Sequence, residues 1–220
     1  MRFSFVTLFP SIIEGYFSDT ILCRALESGK ISIDFYNPRD YTTNKHQKVD
    51  AQMVGGGAGM IMTPQPLYDT LDAIKSENKH IIFLTPVGKK FTQNDAKRLA
   101  SKEHIVLVSG RYEGIDERVI EEYADELFSI GDYILTGGEV ASMVLSDAIS
   151  RNIDGVLGNS GSLDIESYED NILEAPSFSK PLSYHNRGVI SEYSKGNHSK
   201  ISQLKLKLSE AKTKYFRPDL

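Results

Sequence analysis

Along the first 150 residues apolar positions fall by turns into short continuous runs and into stripes at helical spacing. Phe3–Phe9 reads as a buried strand. Ser11 to Glu27 reads as one helix, with Pro10 at its start and Gly29 just past its end. Ile31–Tyr36 alternates as a short strand. Asn37 to Met62 has no period and carries Gly55-Gly-Gly-Ala-Gly59, so it reads as a long loop, which inside a domain is functional or disordered. Gln65–Ile74 is a predicted helix, and Ile81–Thr85 a strand ending at Pro86. Thr92 caps the next helix, with Asp95 three positions on, close to a capping box. Ile105–Ser109 reads as a strand, Ile115–Tyr123 as a helix, and Leu127–Ile130 and Tyr133–Leu135 as extended pieces. Gly138–Arg151 is a helix, with Val140, Met143, Val144 and Asp147/Ala148 at helical spacing.

Alternating β and α elements predict an α/β fold with a mainly parallel sheet covered on both faces. Ligands in such sheets bind where strands end and loops open, and the Gly-rich turns follow the strand-like runs. Residues 155–171, rich in Gly, Ser and acids, break the pattern and read as a linker. Pro176 to Leu220 then reads as small and helical, with Ile201, Leu204, Leu208, Ala211 and Tyr215 as its stripe. A module of that size buries little by itself.

Composition narrows the class. No apolar run approaches the roughly 20 residues of a membrane span. The single Cys23 cannot form an internal disulfide, which makes a reducing cytoplasm the expected setting. Five scattered His, none at ligand spacing from Cys23, leave no dedicated metal site. The net charge of −5 is unevenly spread. Ser177 to Leu220 holds nine Lys/Arg against three acids, a surplus of six, leaving −11 on residues 1–176. A basic module on an acidic body suits contact with phosphates; a solvated lysine-rich helix face accounts for the same count.

The chemistry concentrates in two segments, Ser109-Gly-Arg-Tyr-Glu-Gly-Ile-Asp-Glu-Arg118 and Ser129-Ile-Gly-Asp-Tyr-Ile-Leu-Thr-Gly-Gly-Glu139. Glycine loops after strands suit a dinucleotide, a phosphate or an adenosyl cofactor, and ordinary glycine turns fit as well. The dinucleotide fingerprint is absent from the first strand–helix turn, and there is no Gly-x-x-x-x-Gly-Lys-[Ser/Thr] loop.

With Asn37-Pro-Arg-Asp-Tyr-Thr-Thr-Asn-Lys-His46, Val49-Asp50, Gly55-Gly-Gly-Ala-Gly-Met60, Gly155-Val-Leu-Gly158 and Gly196-Asn-His198 in order, these segments closely resemble the bacterial tRNA (guanine-N1)-methyltransferases. The resemblance covers nearly the whole chain. It implies a SPOUT-type parallel sheet with a deep trefoil knot, an exception to un-knotted chains, plus a small helical C-terminal domain. It implies a homodimer with each active site shared between subunits, a tRNA partner, and methylation of N1 of guanine 37 from S-adenosylmethionine. The implied domains are a knotted cofactor-binding domain (1–158), a flexible linker (159–175) and a helical basic tRNA-binding domain (176–220).

Carried over by position, the resemblance implies a cofactor pocket from Thr85, Pro86, Gly110, Tyr112, Glu113 and Gly114, with Ile130, Gly131, Asp132, Tyr133, Ile134, Leu135, Gly137 and Gly138. Glycines admit close approach of adenine to backbone donors and acceptors. Guanine N1 carries a proton, so the reaction needs a general base, and charge developing on the guanine needs a positive or hydrogen-bonding group. The family's Arg is matched by Arg151, and its linker Asp by Glu166, with Asp164 the competing base. Arg39, His46, Asp50, Gly55, Gly59, Asn197 and His198 are the expected substrate contacts. Acidic residues near the site allow an assisting Mg2+, although no ligand cluster is visible. The sequence departs from the family at Gln52-Met53-Val54, which replaces Pro-Tyr, and at Leu204, where Trp is common.

Overall fold

The computed structural model describes residues 1–158 and 166–220. They belong to two compact units, Met1–Gly158 and Asn159–Leu220. In the first, β1 (Arg2–Val6) and β2 (Ser32–Tyr36) precede an antiparallel hairpin, β3 (Asp50–Gln52) and β4 (Met60–Met62). β5 (Lys79–Lys90), β6 (His104–Ser109) and β7 (Glu126–Ser129) follow. The main sheet runs β2-β1-β6-β5-β7, and every neighbouring pair in it is parallel. The expected α/β class and parallel sheet are therefore observed.

Side chains alternate across β6, and each face has its own core. Ile105 and Leu107 join Phe3, Phe5 and Ile82 on one face. That face is covered by α1 (Pro10–Glu14), α2 (Thr20–Glu27), α4 (Gln93–Leu99) and α6 (Glu139–Ser150), through Ile13, Leu22, Leu99 and Leu145. Val106 and Val108 join Val6, Ile81 and Phe83 on the other face, under α3 (Pro64–Ala73) and α5 (Glu117–Tyr123). Burial on both faces is what a central parallel strand requires, and it explains why β6 reads as a continuous apolar run. Thr92 and Asp95 form the full capping box at the start of α4.

Four local expectations need correction. The single helix over Ser11–Glu27 is three pieces: α1, a 3-10 turn at Gly15–Phe17, and α2. The chain restarts because Asp19 is extended and its carboxylate accepts from the Thr20 N–H, an N-cap that begins a new helix. The loop from Asn37 to Met62 contains the β3–β4 hairpin, whose three-residue strands are too short to show a period. β5 continues past Pro86 to Lys90; its pairing with β7 is interrupted between Leu84 and Lys89, so the proline removes no ladder bond there. Tyr133–Leu135 is an exposed loop, not a strand.

The second unit contains a short hairpin, β8 (Ser183–Tyr184) with β9 (Arg187–Gly188), ahead of α7 (His198–Phe216). The expected stripe on α7 holds through Ile201, Leu204 and Leu208, which are partly buried. It then moves to Ser209 and Thr213, leaving Ala211 and Tyr215 exposed. The Thr213 hydroxyl accepts from the Leu173 N–H at 2.8 Å, and Lys212 Nζ donates to the Glu174 carbonyl at 3.0 Å. Packing against residues 173–174 sets the buried face over those last turns.

Candidate active site

Three adjacent strands end together: the paired part of β5 at Leu84, β6 at Ser109 and β7 at Ser129. Their carboxyl ends open on a cavity of about 360 Å³. Leu84, Thr85 and Pro86 form one wall, and the loop from Gly110 to Gly114 a second. Ile130, Gly131 and the Tyr133–Leu135 stretch form a third, and Gly137 and Gly138 bring α6 in beneath Ala141.

The two glycine loops are fastened to each other. The Gly138 N–H donates to the Gly110 carbonyl at 2.9 Å. A Cβ at Gly138 would lie 2.7 Å from the Ser109 Cα, so only glycine lets the strands' loops come this close. Below them the Ser109 and Ser142 hydroxyls meet at 2.8 Å. The β3–β4 hairpin docks on the first loop: the Glu113 N–H donates to the Met60 carbonyl and the Met62 N–H to the Gly114 carbonyl, each at 2.9 Å. Gly59 at φ +92° faces Glu113, and a Cβ there would stand 2.5 Å from Glu113 Oε1.

Of the expected cofactor residues all but Asp132 line the cavity. Asp132 is 80% exposed and pairs with Lys90 at 2.5 Å. The expected substrate residues are more dispersed. Gly55 and Gly59 sit in the turn between β3 and β4, and Asp50 lies opposite Met62 in that hairpin. Arg39 Nη1 donates to the Gln47 carbonyl, and exposed His46 is held by its backbone N–H on the Asn44 side chain. The Asn197 side chain caps α7, accepting from the Lys200 N–H at 3.1 Å, and His198 is the first residue of that helix. Asp116 caps α5 and pairs with Arg118 at 2.8 Å; that hydrogen bond draws the Asp116 carboxyl below its ordinary range.

Arg151 is the C-cap of α6, whose start borders the cavity. Twelve residues of helix separate the two, about 18 Å at 1.5 Å per residue. A second concavity runs along α6 to Arg151 and is lined by Tyr16, Val140, Val144, Asp147 and Arg151. The Tyr16 hydroxyl donates to the Asp147 carboxylate, and that bond, with partial burial, pushes the phenol up to about 12. Glu166 is half-buried in the second unit, and Asp164 lies outside the described residues. Among the described residues no group of three or more His, Cys, Asp or Glu is placed to hold a metal ion. No described helix is long and apolar enough to cross a membrane.

Sequence reasoning passed over Glu139, which lies behind the cavity and pairs at 2.9 Å with Arg111 of its lining. The only signal was Glu139 itself, an acid in the first turn of a helix directly after two glycines.

A parallel sheet with a glycine-closed cavity at its carboxyl edge defines an α/β protein that takes a small ligand beside the strand ends. The particular kind follows from comparison with known proteins. The family model described as tRNA (Guanine-1)-methyltransferase TrmD matches residues 1–220. A relative named tRNA (guanine-N(1)-)-methyltransferase from Sulfurovum sp. (strain NBC37-1) is 72% identical over 222 residues, covering 100% of this chain and 98% of its own. Relatives of the same name from Sulfurimonas denitrificans and Campylobacter curvus are 65% and 60% identical, again over 100% of this chain and over 96% and 94% of their own. The chain belongs to the tRNA (guanine-1)-methyltransferase family and is a methyltransferase.

Proposed function

We propose that the protein transfers a methyl group from S-adenosylmethionine to N1 of guanine 37 in tRNA, next to the anticodon, where the modification protects the reading frame. The observation that carries this reading is the cavity at the ends of β5, β6 and β7, closed by glycine loops, in a chain of this family. Its volume falls within the roughly 300–1,000 Å³ of small-molecule sites. Ile130, Ile134 and Leu135 offer an apolar surface to an adenine ring, and the glycine loops offer backbone N–H and C=O groups at close range.

When bound, S-adenosylmethionine supplies an activated methyl carbon on a positively charged sulfur. The chain's own residues do the remaining work. Glu166 takes the N1 proton, which frees that nitrogen's electron pair to bond the methyl carbon while the carbon–sulfur pair stays with sulfur. The carboxylate, the sulfonium and the guanine all end neutral, so the charges balance. Arg151 faces the guanine oxygen as negative charge develops on it. Asp164 is the alternative base. Loops fastened as these are hold the donor in line, and positioning supplies much of the rate in a transfer that needs no covalent protein intermediate.

We read the active unit as a homodimer. Arg151 and the cavity stand at opposite ends of α6, about 18 Å apart, which supports a site completed by a second copy. Val140, 47% exposed, with Val144 and Ile12, gives α6 and α1 an apolar face suited to a second copy. The finer reading of the fold is the trefoil knot. It is supported by the return of the chain after β7 to the loop after β6, where Gly138 meets Gly110. The stretch from Ser177 to Leu220 is read as the tRNA-binding part on its surplus of six positive charges, and a cytoplasmic setting suits that substrate. The test is labelled-methyl transfer to transcripts carrying guanine or adenine at position 37, with nucleoside analysis of the product. 1-Methylguanosine from the first transcript alone is the expected result; equal labelling of both refutes the assignment of position 37.

A further inference from the structure

Glu139 is 1% exposed and lies behind the cavity, not in its lining. Two separate segments converge on its carboxylate, and a third is tied in through Arg111. From the turn after β1, the Thr7 hydroxyl donates to Oε1 at 2.8 Å, and the same hydroxyl accepts from the Phe9 N–H at 3.0 Å. From the loop after β6, Arg111 Nε reaches Oε1 at 3.1 Å and Oε2 at 2.9 Å. From the loop after β7, the Thr136 carbonyl accepts from Arg111 Nη1 at 3.2 Å. The Arg111 guanidinium also lies 4.6 Å from the centre of the Phe9 ring, which holds its plane.

Gly110, Arg111 and Gly137 border the cavity on either side of this junction. Arg111 crosses close enough to Gly137 that a Cβ there would lie 2.3 Å from Arg111 Nε. One buried negative charge therefore fixes a cation that braces both glycine loops. A neutral group of the same shape would keep the Thr7 bond but leave Arg111 without its partner charge, and charge-assisted bonds are the stronger kind. Glu139 also stands in the first turn of α6, where the helix dipole favours an anion.

We infer that Glu139 is a positioning residue for the methyl donor: through Arg111 and Thr7 it sets the spacing of the two loops that form the cofactor cavity. This rests on the reading of that cavity as the S-adenosylmethionine site. The group touches neither donor nor guanine and takes no part in proton transfer.

The experiment is calorimetric titration of S-adenosylhomocysteine into the full-length protein, wild type, Glu139→Gln and Thr7→Val, at a temperature well below each melting point. KM for S-adenosylmethionine and for tRNA is measured alongside. Glu139→Gln is expected to weaken S-adenosylhomocysteine binding and raise KM for the donor by about tenfold, and Thr7→Val by about threefold, with KM for tRNA unchanged. A merely structural glutamate would lower the melting point without moving donor affinity in the folded protein, and that result overturns the inference. Should Glu139→Gln not fold, Thr7→Val decides, and wild-type affinity in it refutes the proposal. Failure of the wild type to bind S-adenosylhomocysteine refutes the reading of the cavity instead, and so separates the two.

Discussion

The two units treat their apolar side chains in opposite ways. In the first, Phe3, Phe5, Leu107 and Leu145 are fully buried, and both faces of the sheet carry a continuous core. Among the described residues of the second, only Ser209 and Thr213 are buried, while Tyr184, Leu206, Tyr215 and Phe216 are more than half exposed. Small units bury a smaller share of their surface than large ones, but size alone does not account for aromatic residues facing outward beside lysines. The first unit is built to hold loops still; the second is built to present a surface. On the function proposed above, a transfer between a small donor and a large RNA would use both properties.

The sharpest way to break that comparison is to truncate one aromatic in each unit. Phe5→Ala is expected to cost about 3–5 kcal/mol in urea unfolding, the usual range for a buried phenylalanine. Tyr215→Ala, at a side chain 79% exposed, should stay within about 0.5 kcal/mol. Similar costs at the two sites would contradict the division.

Gly138→Ala comes next. Its new methyl meets the Ser109 and Gly110 backbone, which cannot swing aside as a side chain could. About 1–3 kcal/mol of stability should be lost, together with affinity for S-adenosylhomocysteine. Full affinity would show that the junction of the two loops does not shape the cavity. In the second unit, Lys200→Gln with Lys205→Gln should leave unfolding unchanged. If both lysines meet phosphates, the salt dependence of tRNA binding falls by about two units of slope. An unchanged slope favours the solvated-face account of the charge.

The smallest effect concerns pH. His104 is buried at the start of β6, its Nε2 2.8 Å from the Ser4 hydroxyl and its Nδ1 enclosed with no hydrogen-bond partner. Burial, aided by the charge of Arg2, pulls the imidazole below its ordinary 6.5, against an opposing contribution from Asp34. A depressed value means that the unfolded chain takes up a proton first. The stability that neutral His104 contributes is then complete above about 6.5 and is lost as pH falls below it. Urea midpoints at pH 7.5 and 5.5 should differ more for wild type than for His104→Gln; equal differences would count against it.

The parallel sheet was legible in the sequence because apolar runs such as Ile81–Leu84 and Ile105–Val108 alternate with stretches at helical spacing. The glycines at 110, 114, 137 and 138, singled out through the resemblance, line the cavity. What stayed hidden has physical reasons. The break in the first helix rests on one carboxylate, that of Asp19, taking up a backbone N–H. The β3–β4 hairpin is too short for alternation to register. The Arg111–Glu139 pair joins residues 28 apart in sequence, and no local pattern announces it. On α7 the apolar spacing pointed to Ala211 and Tyr215, but hydrogen bonds from Leu173 and Lys212 turn another face inward.

The measurement that tests the central claim most directly compares wild type with Glu166→Gln in two assays: S-adenosylhomocysteine binding and single-turnover methyl transfer to a guanine-37 transcript. The account predicts unchanged binding, because the cavity belongs wholly to the first unit, with transfer slowed by about 100-fold or more through loss of the general base. Transfer at the wild-type rate would contradict the role given to Glu166 and move it to Asp164. A parallel loss of cofactor binding would contradict the separation of holding the donor from working on the guanine.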